Sequence, residues 1–143
     1  MNKNTSTTED NFLEAFIAIG RQMRTRIDSE LEDAGLSGIQ LWALKNLIDT
    51  EELLGISQLA ACINSGRSNA TQLVDRMESD GLVKRVPHPE DRRSVQIQVT
   101  EEGLRRFEAG ETIRRRVAHE MTQRLTSQEL DQLIMLLSRI ANQ

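Results

Sequence analysis

The run from Ser57 to Thr100, SQLAACINSGRSNATQLVDRMESDGLVKRVPHPEDRRSVQIQVT, limits the folds open to this chain more than any other stretch. Ser57 is placed to cap a short helix holding Leu59, Ala60 and Ile63. Asn64 then tolerates a left-handed backbone, and Ser65-Gly66 adds freedom, so the chain can reverse and restart as helix within a few residues. In the second helix Ala70, Leu73, Val74 and Met77 stand at i, i+3, i+4 and i+7 and share one inward face. Asp80-Gly81 ends it. Leu82 to Val86 starts a strand, and Ser94 to Val99 alternates polar and apolar at period two, as a strand with one buried face does. The seven residues between them, PHPEDRR, are too many for a tight hairpin and are stiffened by Pro87 and Pro89, so the tip must project. Two helices across a tight turn, followed by a ribbon, make a winged helix-turn-helix, a unit that puts one helix into a DNA groove.

The outward face of the second helix fits that use. It carries Ser68, Gln72, Asp75 and Ser79, flanked by Asn69 and Arg76 on one side and Thr71 on the other. Gln and Asn can pair with adenine, Arg with guanine, and Ser or Thr with bases or phosphates. Arg67 stands at the first turn, where outward backbone N–H groups favour a phosphate. Arg92 and Arg93 on the ribbon are placed for minor-groove or phosphate contact. Asp91 is expected to orient the Arg93 guanidinium through a paired hydrogen bond. An ordinary solvated polar face would explain such a helix in isolation, and the ribbon behind it shifts the reading to DNA.

Charge is the objection. The 143 residues carry a formal net charge of -4, whereas affinity for phosphate normally comes from a basic surface. Counted locally, residues 57–100 hold six basic against five acidic side chains, a net of +1, and leave -5 to the rest.

The flanks read as helix. Residues 1–7 are small and polar and are expected to be disordered. Thr8 is placed to cap a helix in which Phe12, Phe16, Ile19, Met23, Ile27 and Leu31 form one stripe ending at Ala34-Gly35. That stripe is either a core-facing surface or a dimer seam. So long a helix exceeds what one small domain covers, which favours at least part of it being intermolecular. Ser37 and Gln40 have capping-box spacing before the buried face Leu41, Leu44, Leu47 and Ile48, with Trp42 off that face. Leu53 to Ile56 is a connector or minimal strand. Thr100 caps a helix to about Arg124, whose Arg105-Arg106 and Arg114-Arg115-Arg116 clusters are expected to be solvated, paired faces. Thr126 and Glu129 form a second capping box. Leu130, Leu133, Ile134, Leu137 and Ile140 follow as an apolar stripe that needs a partner. With Phe12, Phe16 and Ile19 it is the expected dimer interface, the same patches meeting across a two-fold axis.

The run LAACINSGRSNATQLVDRMESDGLVKR, followed by PEDRRS and VTEEG, resembles the multiple-antibiotic-resistance regulator (MarR) family of bacterial transcription factors. The likeness extends to the stretch around Gln40 and Trp42 and to the helices at both ends. It implies one mainly α domain with a small two- to three-stranded β wing, residues 37–100 forming the DNA-binding lobe and residues 8–35 and 101–142 the dimerisation helices. It also implies a homodimer of triangular outline that binds a pseudo-palindromic operator, usually as a repressor, many such members being released by a small, often phenolic, ligand or an oxidant. Its ligand site would bring Met23, Ile27 and Trp42 together. Two departures stand out. Ser65 and Gly66 replace the residues common in the family's turn, and the early cysteine of its peroxide-sensing branch is missing.

Other chemistry finds little support. His88 and His119 form no ligand spacing with Cys62 or with a carboxylate pair, so no metal site is expected. No Gly-rich phosphate loop or nucleophile elbow is present, and the chain is read as a non-enzyme without cofactor. No apolar run is long enough to span a membrane, and a single cysteine fits a reducing compartment, so a cytoplasmic protein is expected. Cys62 is read as a small packed residue. The alternatives are a winged-helix protein-interaction adaptor and a thiol-based sensor working through Cys62.

Overall fold

Helix starts are set by hydrogen bonds that the sequence supplies locally, and most fall where the pattern puts them. The computed structural model describes residues 7–142, so the expected disorder of residues 1–6 lies outside the described residues. Helix α1 (Thr8–Leu31) is capped by Thr7, one residue before the expected Thr8. The Thr7 hydroxyl oxygen accepts from the Asp10 N–H, and the Asp10 carboxylate accepts from the Thr7 N–H and hydroxyl. The Thr7 N–H first, and its hydroxyl second, hold the Asp10 carboxyl below its ordinary pKa. Both expected capping boxes are present, Ser37 with Gln40 at α2 (Gly38–Asp49) and Thr126 with Glu129 at α6 (Ser127–Ala141).

Helix α3 (Ile56–Cys62) differs. Its cap is Gly55, whose N–H donates to the Gln58 side chain at 2.9 Å, and Ser57 lies inside the helix. The preceding Leu54–Gly55 is a strand, β1, because its backbone finds a partner: Leu54 pairs with Ile97 and Gly55 with Gln96. The wing is therefore three-stranded, in the order β1-β3-β2, with β2 (Val83–Pro87) and β3 (Val95–Val99) antiparallel from Val83 opposite Val99 to Pro87 opposite Val95. Strand β2 is at the edge, where Pro87, lacking an N–H, is tolerated.

The described residues gather into two compact units, 27–113 and 7–26 with 114–142. In the larger, the inward residues Ala70, Leu73, Val74 and Met77 of α4 (Arg67–Ser79) are all buried, packed in one core with Leu44, Leu59, Leu82, Val83 and Ile97. Each fully buried Leu, Val or Met contributes about 1.5–3 kcal/mol, so this core fixes where α4 sits. Asn64 adopts φ 51 at the turn and Gly81 φ 75 after α4, as their positions required. The core also takes in Leu31 from the end of α1, with Phe107 and Ile113 of α5 (Glu101–Thr122) packed against it.

Thr100 joins the sheet to α5. Its N–H donates to the Leu82 carbonyl at 3.0 Å and its hydroxyl to the Gly81 carbonyl at 2.6 Å, while its oxygen accepts from the Gly103 N–H at 3.0 Å. The Arg105 and Arg106 guanidiniums both bind Glu102, the paired face expected of that cluster. Arg105 first, then Arg106, pull the Glu102 carboxyl down to about 2.

The smaller unit holds the front of α1, the end of α5 and α6. Val117 is fully buried there, and Arg26 pairs with Glu120. Much of its apolar surface is uncovered: Phe12, Phe16, Ile19, Leu133, Ile134 and Ile140 are exposed, and Leu130 and Leu137 half-buried. The Phe12 and Phe16 rings stack with centroids 5.8 Å apart. Among the described residues no helix is long and apolar enough to cross a membrane.

Candidate nucleic-acid interface

Burying one face of α4 leaves the other free, and it is the polar one. Arg67, Ser68, Asn69, Gln72 and Arg76 are exposed. Thr71, expected beside them, is half-buried, and its hydroxyl donates back to the Arg67 carbonyl at 2.9 Å, so it keeps only acceptor capacity for a ligand. The N-cap of α4 is Gly66, which supplies no side-chain bond. The first-turn N–H groups of α4 are thus left for solvent or an anion, the arrangement that favours phosphate.

The wing tip is shorter and better ordered than seven loop residues suggest. Pairing runs on past Pro87 and Val95, because the His88 N–H donates to the Ser94 carbonyl at 2.9 Å. Inside the tip, the Ser94 N–H donates to the Asp91 carbonyl at 3.0 Å and the Glu90 N–H to His88 Nδ1 at 3.1 Å. Asp91 does act on Arg93, but through the backbone: its Oδ1 accepts from the Arg93 N–H at 3.0 Å. A carboxylate two residues back reaches the main chain in an Asx turn more readily than the far end of a long side chain. The Arg92 and Arg93 side chains are exposed, and among the described residues they have no partner.

The charge objection changes once the partners are known. Of the five carboxylates in residues 57–100, four are engaged within the protein. Asp75 and Glu78 bind Arg85, Asp80 accepts from Gln40 Nε2 at 3.0 Å, and Asp91 binds the Arg93 backbone. The Arg85 N–H first, then its guanidinium, lower the pKa of Glu78, while Asp75 leads in raising that of Arg85. Of the six cations only Arg85 is so engaged. Arg67, Arg76, Lys84, Arg92 and Arg93 are exposed without ion pairs among the described residues. The surface presents free cations and tied anions.

Three residues escaped the sequence reading. Lys84 is an exposed cation on β2. Gln40 was given a structural role only in a capping box and named besides only as part of the stretch that carries the family likeness, yet it is buried and also holds Asp80 at the end of α4. Arg85 could have been found, since period two puts it on the same face of β2 as buried Val83, beside acidic residues spaced i, i+3 on α4.

The other site expectations fare differently. Ile27 packs against the core, and Met23 and Trp42 are exposed. A cavity of about 280 Å³ in the smaller unit is lined by Ile19, Gln22, Arg26, Glu120, Met121, Gln123 and Arg124, and none of the three expected effector residues lines it. Cys62, expected to be packed, is exposed, because it falls on the solvent side at the end of α3. No cluster of three metal-ligating side chains occurs among the described residues.

Residues 34–94 match the family described as MarR family. The HTH-type transcriptional repressor IacR of Pseudomonas putida is 29% identical over 92 residues, covering 64% of this chain and 55% of that protein. The chain spans about half the length of the first curated relatives it matches. Among solved structures, AbsC, a MarR family transcriptional regulator from Streptomyces coelicolor, superposes with a TM-score of 0.82 at 23% identity, over 99% of this chain and 97% of AbsC. A mutant MarR from E. coli complexed with operator DNA gives 0.78 at 21% identity, over 89% and 91%. These likenesses establish the fold, a mainly helical winged helix-turn-helix.

Proposed function

We propose that the chain is a MarR-family, sequence-specific, DNA-binding transcriptional regulator, a homodimer that represses from a pseudo-palindromic operator, a reading supported by the match of residues 34–94 to that family. The observation that carries this reading is the outward face of α4 and the wing tip, where short hydrogen-bonding side chains stand among four unpaired cations, Arg67, Arg76, Arg92 and Arg93, while neighbouring carboxylates are bound by partners within the protein. Ser68, Asn69 and Gln72 read bases. Arg67, Arg76, Arg92 and Arg93 anchor the backbone, and Thr71 accepts from a neighbouring group. In a dimer the two α4 helices would enter successive major grooves about 34 Å apart, roughly 10 base pairs between half-site centres.

The uncovered apolar faces around Phe12, Phe16 and Ile19 of α1 and Leu130, Leu133, Ile134, Leu137 and Ile140 of α6 are the surfaces we assign to pairing. Soluble proteins rarely leave such patches open. Met23, Ile27 and Trp42 remain the residues assigned to a small aromatic or phenolic effector. The protein is neither an enzyme nor a membrane protein, and it works in the cytoplasm, where its DNA is. A second reading, oxidant sensing, draws on the exposed thiol of Cys62 and requires Cys62→Ser to abolish an oxidant response.

Selection of duplexes from a randomised pool tests the main reading. A palindromic consensus should emerge, Gln72→Ala should cost about 1–3 kcal/mol at particular bases only, and Arg93→Ala should weaken binding to all sequences and flatten the salt dependence by about one unit. An unenriched pool would instead indicate a protein-interaction adaptor.

A further inference from the structure

Arg85 touches both α4 and the wing and has no place among the residues that read DNA. Strand β2 delivers it. Its backbone N–H donates to Glu78 Oε1 at 3.0 Å, and its guanidinium donates to Glu78 Oε2 at 2.5 Å and to Asp75 Oδ1 at 2.6 Å. The side chain is 28% exposed, committed to these two acceptors rather than extended into solvent. Asp75 is more exposed, at 58%, and lies on the same helical face as Ser68 and Gln72.

A carboxylate on that face is a liability. At a few ångströms from a phosphate in water, two like charges repel by roughly 1 kcal/mol, and Asp75, with Glu78 one turn on beside it, would bring such charge to the surface proposed to meet a duplex. The guanidinium fork suits the remedy, since its planar donors can serve two carboxylates in fixed directions. An ammonium in its place would be a single point charge.

We propose that Arg85 is a positioning residue of the DNA-reading surface, one that acts by holding Asp75 and Glu78 away from the phosphates without itself contacting DNA. The proposal rests on the reading of this chain as a DNA-binding regulator.

The test uses the full chain and a duplex that the native protein selects from a randomised pool, with binding followed by mobility shift and folding by far-ultraviolet circular dichroism. Arg85→Ala should weaken binding about tenfold. Adding Asp75→Asn and Glu78→Gln to Arg85→Ala should restore affinity to within about threefold of native, because the uncovered charges are then gone. A residue that merely braces the fold would leave the triple variant as weak as the single one, and that result would overturn the proposal, as would native affinity in Arg85→Ala. Should Arg85→Ala fail to fold, Asp75→Asn/Glu78→Gln beside native Arg85 decides the matter: unchanged or tighter binding supports the proposal, and a tenfold loss refutes it. Native protein that selects no duplex would overturn the DNA reading and this role together, an outcome distinct from native binding that Arg85→Ala leaves untouched.

Discussion

Replacing Gly103 with alanine should loosen the junction between the wing and α5, and the cost follows from distances. A Cβ built on Gly103 lies 2.1 Å from the Leu82 carbonyl oxygen, 2.9 Å from Val99 Cγ1 and 3.0 Å from the Leu82 carbonyl carbon. The nearest obstacle is backbone, so no side-chain rotation relieves the overlap. To restore ordinary contact α5 and the Leu82 peptide must separate by about 1 Å or more. That movement strains the hydrogen bond from the Thr100 N–H to the same Leu82 oxygen. Overpacking costs about 1–3 kcal/mol and the bond about 1 kcal/mol, against a helix-propensity gain of at most about 1 kcal/mol. The net loss is roughly 2 kcal/mol, a fall in Tm of about 5–8 °C for a chain of this size. Thermal denaturation at one fixed protein concentration measures it, with Gly66→Ala as the control. A Cβ at Gly66 meets nothing within 4 Å, so that variant should lose less than about 1 kcal/mol. Native or higher Tm in Gly103→Ala would show that the close approach between α5 and Leu82 does not constrain the fold.

Two further predictions concern pairing and pH. Ile134→Glu puts a charge on an apolar side chain that is 53% exposed in the single chain. Sedimentation should find a folded monomer, and native-strength dimers would remove this face of α6 from the interface. Glu102→Gln tests the clamp on Arg105 and Arg106. Because the folded carboxyl is depressed to about 2 from an ordinary 4.5, its contribution is fully present above the ordinary value and fades as pH falls through the folded one. The Tm gap between native and Glu102→Gln protein should therefore be constant at neutral pH and close on acidification. A gap that widens toward low pH would contradict the assignment.

What could be read in the sequence was whatever a short window determines. The inward face of α4, the positive φ of Asn64, both capping boxes and the start of α5 at Thr100 each depend on residues within a few positions of one another. What could not be read depends on distant partners. Strand β1 is two residues long and exists only because β3 pairs with it. Gln40 reaches Asp80 across forty positions of chain. Cys62 was misplaced for a related reason: a short helix leaves little periodicity to say which side faces the core, and a small thiol suits either. Asp91 was assigned to the right residue but the wrong group, since spacing alone does not separate a main-chain N–H from a guanidinium.

The same distinction answers the charge objection to the proposal that this acidic chain binds DNA. A net of +1 over residues 57–100 treats all eleven charges as equally available, yet four of the five carboxylates are bound within the fold and five of the six cations are not. Affinity from counterion release follows the cations that meet phosphate rather than the net charge. The four proposed to anchor a duplex, Arg67, Arg76, Arg92 and Arg93, are few per copy, and Asp75 and Glu78 together outweigh Arg85 by one charge, so on the proposed reading a single copy would hold a duplex weakly. Joining two copies makes the second encounter intramolecular, and the contributions of both reading surfaces then add in free energy. If the chain binds DNA as proposed, the uncovered apolar faces of α1 and α6 serve that binding as much as α4 does, because without pairing the free cations of one copy are too few.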